Sequence, residues 1–184
     1  MNFLCIGAGS IGKRHIKNLM SIGISRNNIT VVDKRSDRLL EVKNLGIKEI
    51  YSNLSEALKS RSFDLSIICS PTSLHVIQGI EVAKKGIHIL MEKPLDSDLK
   101  NLESFKKIVK EKNIIVMMAY VFRFSPQIQK LKELIENNTI GKIYFARGEF
   151  SEYLPDWHPY EDYRSFYMAK KEMGGGSILD QSHI

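Results

Sequence analysis

The sequence predicts an α/β fold, a doubly wound parallel sheet followed by the start of an α+β domain whose sheet is open and incomplete. Three observations carry this. Short runs of Ile, Val, Leu, Phe and Cys alternate with helix-period segments from the first residue to about position 120. The runs are apolar almost throughout, as a strand covered on both faces requires. After Tyr120 the pattern changes to one helix and then an alternating run. The chain accordingly divides into 1–120, the parallel-sheet domain, and 121–184, the beginning of a truncated second α/β domain.

Strands are expected at 2–6, 29–32, 65–69, 87–90 and 114–118, with a weaker one at 49–51. Among the helices between them, Leu102, Phe105, Ile108 and Val109 form one apolar stripe, with Asp98 placed to cap its start. Ser52 or Asn53 caps a short segment over 54–58, and Thr72 caps a helix that stops at Gly86. In the second part Ser125-Pro126 opens a helix with the stripe Ile128, Leu131, Leu134 and Ile135, ended by 137–141. The run 142–152 puts Tyr144, Ala146, Gly148 and Phe150 on one face and polar residues on the other, which predicts a half-exposed strand.

Composition narrows the function classes. Apolar residues make up 43% and charged residues 26% of the 184, the balance of an ordinary globular protein. No apolar run approaches a membrane span, and the opening residues lack the basic leader and cleavage site of a signal peptide. The net charge of +6 raises nucleic acid as a partner. Yet the basic residues are mixed with acids along helix faces, as at 100–112, without interleaved aromatics, so no nucleic-acid partner is expected. Cys5 and Cys69 each sit in a strand-like run and read as reduced core residues of a cytoplasmic protein.

The most informative motif is Gly7-Ala8-Gly9-Ser10-Ile11-Gly12, directly after the first strand and opening a helix. Gly7 permits the tight turn, Gly9 lets backbone approach a pyrophosphate, and Gly12 lets helix and strand pack closely, while the helix N-terminus offers N–H groups. Asp33 ends the second strand, 21 residues beyond Gly12, where an adenosine ribose diol is held. These are the parts of a Rossmann dinucleotide site. The stretch from Gly7 to Lys13 also fits G-x-x-x-x-G-K, but Arg14 stands where a P-loop needs Ser or Thr for Mg²⁺. Asp33 favours NAD(H), because a 2′-phosphate would meet its carboxylate; Lys34 and Arg35 follow and leave NADP(H) possible.

Ligands of open parallel sheets bind beyond the carboxyl ends of the strands. Glu92-Lys93-Pro94 ends the fifth strand, so Lys93 projects into that crevice, where it can exchange a proton with a substrate hydroxyl. Ser70, Pro71, Thr72 and His75 follow the preceding strand and can touch the cofactor; otherwise they are a helix cap and a surface histidine. Near the end, Gly174-Gly175-Gly176-Ser177 enters a helical segment with Asp180 and His183 on one face, an acid beside an imidazole. His158, His183 and nearby acids lack ligand spacing, so no metal is expected.

Together Gly7 to Gly12, Glu92-Lys93-Pro94, Arg123-Phe124-Ser125-Pro126 and the segment 174–183, in this order, resemble the glucose–fructose oxidoreductase/inositol dehydrogenase (Gfo/Idh/MocA) family. The stretch 153–164 resembles a branch linked to surface-sugar biosynthesis. The resemblance implies NAD(P)-dependent hydride transfer at a carbinol carbon of a sugar. It implies Lys93 as the catalytic lysine, Asp180 and His183 at the family's acid and histidine positions, and Arg123, Tyr153, Trp157 and Tyr163 along the sugar side. Two features depart from the family: Asp180 and His183 are three apart instead of four, and members are commonly nearly twice this length. A small-molecule sugar substrate is thus expected, with a homo-oligomer or a complementing chain meeting the incomplete sheet. The alternative is a nucleotide-binding remnant without turnover, or one half of a split enzyme.

Overall fold

The computed structural model describes residues 1–157, 159–176 and 178. Six parallel strands form one sheet: β1 (Phe3–Ile6), β2 (Ile29–Val32), β3 (Glu49–Tyr51), β4 (Leu65–Ile68), β5 (His88–Met91) and β6 (Val116–Met118). Their order across the sheet is β3-β2-β1-β4-β5-β6. The order reverses at β1, so the crevice between the β1 and β4 carboxyl ends is the switch point where such sheets take ligands. Helices α1 (Ser10–Ser21), α2 (Ser36–Asn44), α3 (Leu54–Ser60), α4 (His75–Lys84) and α5 (Leu102–Glu111) connect the strands.

The near-continuous apolarity of the central strands has a visible cause. Alternate residues of β1 serve different faces: Leu4 and Ile6 join Ile68, Val76, Met91 and Phe105 on one side, while Phe3 and Cys5 join Ile16, Leu19, Val31 and Val42 on the other. Both faces are dry, so a polar residue is tolerated only as an exception: Ser66 on β4 donates its hydroxyl to Leu4 O at 3.1 Å, and Thr30 on β2 is buried too. Gly79 marks the closest approach of α4, where an added Cβ would lie 2.9 Å from the Met91 methyl and 3.1 Å from the Phe105 ring.

Burial also fixes the cysteine chemistry. Both thiols are free and buried. Desolvation pushes Cys5 up to about 12 from an ordinary 9.0, and the same cause raises Cys69 well above that value, helped by nearby Cys5 and Glu92. The native protein is therefore expected to hold both thiols inert to a thiol-exchange reagent at pH 8, and to release two equivalents on unfolding. Because the folded state keeps the Cys5 proton where the unfolded chain loses it, stability is expected to fall as pH climbs from about 9 toward 12. Urea midpoints measured across that window check the sign.

Caps follow the sequence at several points. Asn53 accepts from the N–H groups of Ser55 and Glu56, and Gly86 closes α4 at φ +73°. Two assignments change. Asp98 accepts from Lys100 N–H at 2.8 Å, one turn too early to cap α5, which begins after Asn101. Thr72 opens a short 3-10 turn, and α4 starts only at His75, with Val76 N–H donating to Asp96.

Beyond β6, α6 (Pro126–Glu136) begins at Ser125-Pro126 as expected, yet none of its residues is buried. The strand expected over 142–152 does not form: this stretch has no regular structure, and Tyr144 and Phe145 are 85% and 82% exposed. Alternation only decides which face a strand would bury. The ladder needs a neighbour, and no described segment pairs there. The expected helix carrying Asp180 and His183 lies outside the described residues.

Candidate functional site

The glycine loop is built as its residue types require. Gly7 sits at φ +95°, in the left-handed region that side chains disfavour, and a Cβ there would lie 2.5 Å from the Cys69 carbonyl oxygen. A Cβ on Gly12 would overlap the Gly7 carbonyl oxygen. The two glycines thus let loop, helix and neighbouring strand close on one another.

The loop delivers an unsatisfied helix end. Lys13 N–H makes the first bond of α1, to Gly9 O, so the N–H groups of Ser10, Ile11 and Gly12 have no intrahelical acceptor. No side chain caps this end, and its first turn holds no acid. Gly9, Ser10 and Ile11 instead line a cavity of about 430 Å³. Uncapped N–H groups and the positive end of the helix dipole, facing a cavity, form a site for an anion such as a pyrophosphate.

Asp33 stands beside this loop. Its carboxylate accepts from Ala8 N–H at 2.6 Å and from Arg35 N–H at 2.8 Å, with Arg38 at 3.8 Å. An ionised carboxylate has about four acceptor positions, so two remain for a ribose diol. Of the basic residues after it, Arg35 is engaged with Asp37 and Glu161 and lines the cavity, while Lys34 is exposed and outside the wall. The guanidinium of Arg35 holds the Asp37 carboxyl down at about 2.

The β4–α4 loop forms the other side of the cleft. Ser70, Pro71 and His75 line it; Thr72 is buried behind it. His75 is 1% exposed, which excludes a surface histidine. Its Nδ1 meets Pro94 O at 2.7 Å and its Nε2 meets Ser70 O at 2.8 Å, so the ring braces the β4 loop against the turn after β5.

That turn carries Lys93, followed by a cis peptide to Pro94. Lys93 lies in the wall of the first cavity and of a second one of about 680 Å³. Glu92 beside it is 8% exposed and accounts for both its oxygens: Oε1 pairs with His15 Nε2 at 2.8 Å, and Oε2 accepts from Lys93 N–H at 3.3 Å. Because His15 is on α1, the pair ties the phosphate-loop helix to the backbone of Lys93. Glu92 was expected at the cofactor and does line that cavity, but its carboxylate is committed to this tie.

The expected sugar-side residues divide. Arg123 lines the second cavity, and Trp157 lines both. Tyr153 is 69% exposed and Tyr163 stacks under Arg164, its ring centroid 4.8 Å from the guanidinium carbon; neither lines a cavity wall. Sequence reasoning weighed Lys13 and Arg14 only against a P-loop, and did not single out His15 or Arg38, nor the part from Ser165 to Met173 of the segment that roofs the first cavity. His15 had a legible signal: it falls three residues after Gly12 on the face that also carries Ile16 and Leu19. Arg38 and the roof had none, since they come to the cleft only through tertiary packing.

Comparison with known proteins agrees with this geometry. The Gfo/Idh/MocA model, described as an oxidoreductase family with an NAD-binding Rossmann fold, matches residues 1–120. The chain is 34% identical to a myo-inositol 2-dehydrogenase of Thermotoga maritima over 143 residues, 77% of this chain and 42% of the relative. Among solved structures, myo-inositol 2-dehydrogenase from Lactobacillus plantarum superposes with a TM-score of 0.72 at 26% identity, over 78% of this chain and 43% of that one. The WlbA dehydrogenase from Bordetella pertussis, in complex with NADH and UDP-GlcNAcA, gives 0.71 at 27% identity, over 78% and 44%. The chain thus spans less than half the length of these relatives.

Proposed function

Because the chain belongs to the Gfo/Idh/MocA oxidoreductase family, with residues 1–120 as its NAD-binding Rossmann domain, we propose that it serves hydride transfer between a nicotinamide dinucleotide and a carbinol carbon of a sugar or cyclitol. The observation that carries this reading is the uncapped N-terminus of α1 opening on a cavity whose far wall holds Lys93. The glycine cradle and Asp33 would hold the pyrophosphate and ribose of NAD(H). Bound there, the nicotinamide supplies the hydride acceptor or donor. Lys93 Nζ takes the hydroxyl proton of the alcohol as it is oxidised, or returns it to the carbonyl oxygen on reduction. Asp180 and His183 are assigned the relay of that proton, and Arg123 and Trp157 the grip on the sugar. Ser70, Pro71 and His75 shape the wall beside the cofactor.

We assign 121–184 to the start of the substrate domain. A place in surface-polysaccharide sugar metabolism is supported by the likeness to WlbA, and a cytoplasmic setting by two reduced, buried thiols. A second reading, nucleotide binding without turnover by this chain alone, is favoured by α6: Ile128, Leu131 and Ile135 are 44%, 50% and 42% exposed. A second copy or a complementing chain would cover that apolar face.

Fluorescence titration with NADH, then a screen of polyols and sugars for coupled change at 340 nm, tests the assignment. Saturable 1:1 binding with turnover supports it; binding without turnover selects the second reading; no binding overturns both. Asp33→Ala is expected to weaken NADH by about two to four orders of magnitude. Two charge-assisted hydrogen bonds to the ribose, at about 1.5–3 kcal/mol each, set that scale. NADPH should lose far less, since Asp33 opposes its 2′-phosphate. Equal losses for the two coenzymes would remove Asp33 from the ribose.

A further inference from the structure

The second cavity shows a charge pattern that the proposed reaction does not require. Of the eight arginines in the chain, six are hydrogen-bonded or ion-paired: Arg26 to Leu45 O, Arg35 to Asp37 and Glu161, Arg38 to Asp33, Arg61 to Asn27 O and Asn2, Arg147 to Glu149 and Arg164 to Asp162. Among the described residues, only Arg14 and Arg123 have guanidiniums without a hydrogen bond or ion pair. Both line the same cavity, together with Lys93. They reach it from elements distant in sequence, Arg14 from α1 and Arg123 from the turn after β6.

Glu152 is the one carboxylate in that wall, and no ion pair joins it to either guanidinium. The wall thus carries three cations against one anion. Trp157 adds a donor: its indole N–H is buried and meets no acceptor among the described residues, and its ring lines both cavities. Donors outnumber acceptors here. A neutral polyol needs both in comparable number, because each hydroxyl donates as well as accepts, whereas a carboxylate or phosphate only accepts. A guanidinium is a planar fork matched to two oxygens of such an anion.

We propose that the second cavity takes a sugar bearing an anionic group, a carboxylate or a phosphate, held by Arg14 and Arg123 beside Lys93. This rests on the reading above that Lys93 faces the reacting carbon. The overall charge of +6 draws the same class of ligand toward the surface.

The test is calorimetry of the full chain saturated with NADH, using glucose, glucuronate and glucose 1-phosphate as probes. At least one anion is expected to bind about tenfold or more tighter than glucose, and the advantage should shrink as salt is raised. A glucuronate advantage identifies a ring carboxylate, and a glucose 1-phosphate advantage identifies a phosphate, as in a nucleotide-linked sugar. Arg14→Gln and Arg123→Gln should each reduce that advantage to roughly threefold or less, while Arg14→Lys and Arg123→Lys keep part of it. Both arginines are exposed, so these variants should leave the melting temperature and NADH affinity unchanged. Glucose binding as tightly as both anions, or an advantage that survives both glutamine substitutions, overturns the inference and leaves the dinucleotide reading standing. Absence of NADH binding by the wild-type chain overturns that reading, and this inference with it.

Discussion

Gly12→Ala is expected to weaken NADH binding about a hundredfold and to lower stability at the same time. The added methyl would overlap the Gly7 carbonyl oxygen, and that atom cannot retreat freely. Gly7 is pinned on two sides: its N–H donates to Val32 O at 2.8 Å, and the Cys69–Ser70 backbone occupies the space where a Cβ would stand. Relief must therefore come from α1 moving away from the sheet, which strips Ile16 and Leu19 from the core they share with Cys5 and Val31. Overpacking of this kind costs about 1–3 kcal/mol, and a backbone clash belongs at the upper end. The same movement takes the N–H groups of Ser10 and Ile11 out of register with a pyrophosphate. Misplacing donors worth about 3 kcal/mol weakens binding roughly a hundredfold. Urea denaturation and NADH fluorescence read the two losses separately. A Gly12→Ala protein that binds NADH like the wild type would mean that the loop does not carry the phosphates. Gly9→Ala separates the two losses: its Cβ would meet nothing nearer than the Arg38 guanidinium at 3.6 Å, so stability should hold, while the methyl stands in the cavity wall where backbone must approach the phosphates and should still weaken NADH.

The difference between these two glycines also shows what the sequence could convey. Their spacing after a strand announced a turn and a helix end, because that geometry is local and each glycine answers to backbone within a few residues or one strand away. The sheet was legible for the same reason: two-sided burial leaves its mark on every residue of β1 and on all but Thr30 of β2 and Ser66 of β4. The surface alternative for His75 stayed open in the sequence because its partners, Pro94 O and Ser70 O, converge from two different loops. Nothing in the residues around it signals that convergence. Arg38 reaches the glycine loop from a helix facing it, and the roof from Tyr160 to Met173 is far away in sequence. The stretch 142–152 failed in the opposite sense. Its alternation is a clear local statement, but strand formation depends on a neighbour that the pattern itself cannot supply.

Lys93→Ala is expected to lower kcat by two to four orders of magnitude, the usual range for removing a general acid–base group, while leaving NADH affinity within about twofold. The separation follows from where Lys93 lies. It is in the wall shared by both cavities, where the proposed reaction is placed, whereas the pyrophosphate site proposed at the N-terminus of α1 lines only the first of them. Its backbone is fixed independently, through Glu92 Oε2 and the His15 tie, so truncating the side chain leaves the turn in place. Lys93→Arg separates proton transfer from simple attraction. A guanidinium keeps the positive charge and the reach, but it does not release its proton in the working pH range. If Lys93 moves the hydroxyl proton, the arginine variant should be nearly as slow as the alanine one, with KM for an anionic sugar preserved. Recovery of most of the activity in Lys93→Arg would instead reduce Lys93 to a charge that attracts substrate, and the proton would have to leave by another group.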